Sequence, residues 1–182
     1  MKKKTIAVVL ALVLVICCAV GGVLAWLTDT TDSITNTFTV GNVKIDLAES
    51  KNLDLKMVPG QTIKKDPKVT VKANSEACYL FVEVEKSDNF NGFMTYDMAD
   101  GWIQGDGTNV PDNVFYRVVG TATTDTTFNV IKNDTVNVKG TVTQSMMDEL
   151  NDDTLPTLTF TAYACQSAGF DTPADAWTEV SK

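Results

Sequence analysis

The side chains able to do chemistry are few, and the first constraint on them is an absence. The 182 residues contain no histidine. That removes every Ser-His or Cys-His nucleophile pair and the two-histidine zinc motif of metallopeptidases. Four cysteines remain: Cys17, Cys18, Cys78 and Cys165. Cys78 and Cys165 are too far apart in sequence for the paired spacing of a zinc knuckle. In an exported domain they could form one disulfide, or each could fill a small buried apolar site. Asp100, Asp106 and Asn109 fall in a glycine-rich stretch and are the weak candidates for calcium. Their spacing matches no twelve-residue calcium loop, and no bidentate glutamate closes the stretch. The simpler reading is that they build turns by bonding to their own backbone. Phe93, Tyr96 and Trp102 could form a platform for a sugar, although loop-anchoring aromatics explain them as well. No cofactor is expected, and no catalytic residue.

The elements that must position these residues begin with a leader. Lys2, Lys3 and Lys4 precede an uncharged apolar run that ends at Asp29. A basic start followed by an apolar segment is the layout of an export signal. Residues 5–28 are also long enough to cross a bilayer as a helix if left uncut. Gly21 and Gly22 weaken the helix where the apolar run should end. Val23 and Ala25 then fit the small-residue pattern of a cleavage site, which places the cut before Trp26. Residues 1–25 are read as a signal helix, 26–36 as an N-terminal segment and 37–182 as the folded domain. Cys17 and Cys18 leave with the signal. No small residue stands directly before either, which argues against a lipid anchor.

Cleavage removes three lysines and no acid, taking the formal charge from −8 to −11. Such a surface repels nucleic acid and anionic lipid. The only membrane contact expected is through the uncleaved signal segment.

After the leader, Val, Thr, Ile, Phe and Tyr recur with period two, broken by Gly, Asn, Asp and Pro. This is the pattern of an all-β sandwich. Strands are expected over 37–47 with a slip at Gly41-Asn42, around Leu53 to Met57, from Ile63 to Val71, and over 77–85, 114–119, 126–131, 135–142 and 157–165. Pro59-Gly60 reads as a turn. Pro67 reads as marking an edge strand or an interruption. In 77–85, Cys78, Leu80, Val82 and Val84 share one face, with Tyr79 and Phe81 on the other. Residues 90–109 read as loop. Two short helices are expected, one over 145–150 capped by Ser145, and one capped by Thr172 with Pro173 first and Asp175 closing the box.

Several of these stretches resemble the TasA/camelysin (CalY-like) family. GGVLAWLTDT (residues 21–30) followed by TNTFTVGNV (35–43) is similar to the family's signal end and the segment after it. LKMVPGQT (55–62) resembles its proline-glycine turn, and LTFTAYACQ (158–166) its last core strand. The middle, residues 88–145, has no counterpart. The resemblance implies a signal cut by a SipW-like signal peptidase and a jelly-roll β-sandwich. It also implies extracellular or cell-surface location and, as for the best-known members, a biofilm-matrix fibre subunit of Gram-positive bacteria or an accessory that caps or anchors such a fibre, its partners being copies of itself or related subunits. In such fibres the freed N-terminal segment adds as a strand to the next subunit. Here that segment contains Trp26, Leu27, Thr28, Asp29, Thr30 and Ile34, and Trp26, Leu27 and Ile34 are its apolar anchors. Some members were described as metalloproteases, an activity this histidine-free chain is not expected to share. The rival expectation is a monomeric surface module that binds a glycan or protein through its aromatic loop.

Overall fold

A computed structural model describes residues 42–50 and 56–182. The signal, the cleavage site and the 26–36 segment lie outside the described residues, as do Leu53 and Leu55. The described chain is all-β with three short helices. Ten strands follow in order: β1 Ile45–Ala48, β2 Thr62–Lys64, β3 Lys68–Val71, β4 Cys78–Lys86, β5 Met94–Thr95, β6 Ile103–Gln104, β7 Val114–Val119, β8 Thr126–Asn129, β9 Thr135–Val138 and β10 Leu158–Gln166. The helices are α1 Phe90–Phe93, α2 Gln144–Asp148 and α3 Pro173–Val180.

The strands form three antiparallel sheets, ordered β1-β3-β8, β10-β4-β7-β6 and β2-β9-β5. The four-stranded sheet faces the other two across the main core. Alternation selects its inward residues: Cys78, Leu80, Val82 and Val84 from β4, with Phe160 and Ala162 from β10. Val69 and Val71 of β3 and Val136 and Val138 of β9 meet them from the other side. The fully buried valines and leucine among them each contribute about 1.5–3 kcal/mol of transfer free energy.

The opposite face of the four-stranded sheet is not left to solvent. Phe81 points there and is fully buried, because α3 lays Ala176 and Trp177 over it. The Phe81 and Trp177 rings are 5.3 Å apart, and Tyr163 meets Trp177 edge-on at 5.3 Å. The helix starts where expected. Thr172 accepts the Asp175 N–H, the Asp175 carboxylate accepts the Thr172 N–H, and Pro173 opens the first turn.

Pro59 and Gly60 form a turn of the second type. The Gln61 N–H reaches the Val58 carbonyl at 3.0 Å and Gly60 takes φ +76°, a value that favours glycine. Pro67 marks an interruption: it separates β2 and β3, which belong to different sheets, and β3 is the centre of its own.

Two expectations are corrected. Residues 90–109 are not all loop, since they hold α1, β5 and β6, and Phe90 and Phe93 belong to the core. Elements of two to four residues are too short to display a period. The cap of α2 is Thr143, not Ser145. Thr143 has the extended backbone a cap needs (φ −100°, ψ 164°), and its hydroxyl accepts the Met146 N–H. Ser145 sits inside the helix.

Candidate functional site: the outer edge of β10

β10 pairs with β4 through all nine of its residues. Among the described residues no strand pairs with its other edge. Its sequence, LTFTAYACQ, contains no charged residue and no proline. Those are two of the usual devices that keep an edge strand from pairing with another chain. β1, the edge of the facing sheet, lies beside β10.

Two clefts open near the start of β10. The larger, about 400 Å³, is lined by Met57, Ile63, Phe90, Met94, Leu155 and Leu158 among others, so its wall is mainly apolar. Leu155 at its margin is 46 % exposed. The second, about 330 Å³, lies between Leu47, Glu49 and Pro67 on one side and Phe160 on the other. Lys65 borders both clefts. Its ammonium donates to both carboxylate oxygens of Glu49 at 3.0 Å and stands 5.6 Å from the centre of the Phe160 ring. Aliphatic and aromatic walls with one paired cation at the rim suit an extended segment with apolar anchors.

The other sequence candidates are placed as follows. Val23, Ala25, Trp26, Leu27, Thr28, Asp29, Thr30 and Ile34 lie outside the described residues. Cys78 and Cys165 are free thiols. In the β10–β4 register Cys165 stands opposite Tyr79, and Cys78 opposite Gln166. Adjacent register positions face opposite ways, so Cys78 joins the main core while Cys165 joins the cluster under α3. Side chains pointing apart cannot be bridged without moving the backbone, so no disulfide joins them. Burial pushes the Cys78 thiol up to about 11.

Asp106 and Asn109 are brought together and Asp100 is not. The Asp106 carboxylate accepts the N–H groups of Thr108, Asn109 and Val110 and the Asn109 side-chain amide. Those backbone donors hold it well below the usual carboxylate range. Asp100 faces Lys132 at 3.7 Å. The aromatic platform is divided too. Phe93 is buried, Tyr96 meets Phe90 and Phe160 edge-on, and Trp102 donates its indole N–H to the Asn129 carbonyl.

Sequence reasoning missed Arg117. It occupies an inward position of β7, where its guanidinium lies 3.9 Å from the Phe128 ring centre and 5.2 Å from that of Trp102. The available signal was a cation at an inward register position, Arg117 standing opposite Leu80.

The described domain is thus a β-sandwich with a bare strand edge. Residues 1–90 match the model of a family described as camelysin metallo-endopeptidase. That match supports the TasA/camelysin resemblance over residues 1–90. No curated protein and no solved structure matches the chain. The family description implies a catalytic metal, and the described residues do not fit one. Among the described residues no group of three or more His, Cys, Asp or Glu side chains could hold an ion, and the whole chain lacks histidine. Among the described residues no helix is long and apolar enough to cross a membrane.

Proposed function

We propose that this protein is an exported structural subunit of a TasA-like extracellular fibre. Its N-terminal segment, freed by a SipW-like signal peptidase, adds as a strand to the outer edge of β10 on the next copy. The observation that carries this reading is the edge itself: nine residues without charge or proline, whose outer side has no strand partner among the described residues, with one mainly apolar cleft at the Leu158 end. Backbone pairing along β10 supplies affinity, and the clefts take the anchors Trp26, Leu27 and Ile34. Because donor and acceptor are different surfaces, each addition leaves a new acceptor exposed and the contact propagates into a filament. Before cleavage the same residues continue from the apolar leader and are not free to be donated, so cleavage is the assembly switch.

The test is a synthetic peptide of residues 26–36 added to protein that begins at Thr37. Binding with slowed amide exchange in β10 supports the reading. Binding that leaves β10 exchange unchanged, or no binding, contradicts it.

A further inference from the structure

The chain contains fourteen lysines and a single arginine, Arg117. Two rings enclose its guanidinium, Phe128 from β8 and Trp102 from the segment before β6. Trp102 is held in turn by its bond to the Asn129 carbonyl at 2.8 Å. Gly101 packs close by with φ +87°, and a Cβ there would stand 2.7 Å from Arg117 Nη2. The positive φ is what favours glycine at this position. The guanidinium is therefore positioned from several directions.

A guanidinium carries five N–H donors in its plane. Among the described residues none of them meets a carboxylate or any other hydrogen-bond acceptor, and the ring contacts are the group's only partners. Burial alone lowers its pKa, with no anionic neighbour acting against it. A partly desolvated cation without a counter-ion is stabilised by an anion that fits its fork.

We propose that Arg117, held by Trp102, Phe128 and Gly101, binds a carboxylate carried on a small and otherwise uncharged molecule. Charge complementarity selects that class. The domain as a whole is strongly acidic, so a polyanion or an acidic polypeptide is repelled at long range, whereas a single carboxylate meets one local cation. The site is separate from the β10 edge and does not depend on assembly.

The single arginine gives the test a unique reporter. The full-length chain, labelled with ¹⁵N-arginine and kept in detergent, shows one Nε–H signal. Sodium acetate and sodium glucuronate are titrated against sodium chloride at matched ionic strength. The expected result is a saturable shift with at least one carboxylate, at a dissociation constant on the order of 1 mM, and none with chloride. Arg117→Lys keeps the charge and loses the fork, so the carboxylate-dependent change in Trp102 fluorescence should fall at least tenfold. Shifts that stay linear and equal for all three salts overturn the proposal, and that result needs no variant to fold.

Discussion

Ser50 gives Asp66 both of its donors, the backbone N–H to Oδ1 at 3.0 Å and the hydroxyl to Oδ2 at 2.6 Å. The pair ties the residues after β1 to the corner between β2 and β3. Asp66 is the one buried carboxylate among the described residues, and Lys64 adds an ion pair at 3.4 Å.

The Ser50 hydrogen bonds, aided by Lys64, hold the Asp66 carboxyl at about 2, against roughly 3.9 in an unfolded chain. A depressed native pKa contributes stability that is full above the unfolded value and lost as pH falls from about 4 towards 2. Asp66→Asn should therefore melt at a lower temperature than the parent at pH 7. The gap should close as pH falls to 2. Thermal melts of both proteins between pH 2 and 7 check this, and a gap constant across that range would refute it.

Phe81 holds α3 to the four-stranded sheet. Truncating a fully buried phenylalanine costs about 3–5 kcal/mol. Phe81→Ala should lose that much in urea denaturation and should expose Trp177, seen as a red shift in fluorescence. A loss below 1 kcal/mol would mean that the helix is held by something else.

The opposed faces of Cys78 and Cys165 predict redox indifference. Protein beginning at Trp26 should melt at the same temperature with and without reductant. Iodoacetamide should label Cys78 only after unfolding, since burial suppresses its thiolate. A melting temperature that drops on reduction would show a bridge that this geometry forbids.

How much of this was legible in the residues can be judged element by element. The faces of β4 were readable because strict alternation over nine residues has one solution. Thr172, Pro173 and Asp175 marked α3 because three cap signals coincide. That Phe81 would be buried was not readable, since α3 covers it from ninety residues away. The bare edge of β10 was equally hidden. Alternation tells which face a residue takes and is silent on which edge lacks a neighbour. Arg117 escaped notice because its environment comes from β8 and from the loop before β6, which no local pattern connects. The Ser145 cap was misplaced because Thr143, two residues earlier, offers the same chemistry, and only backbone angles choose between them.

The central claim is that the freed N-terminal segment is the assembly strand. Electron microscopy of purified protein beginning at Trp26, beside protein beginning at Thr37, tests it most directly. The account predicts filaments from the first and dispersed monomers from the second. Filaments from both, or monomers from both, would contradict it.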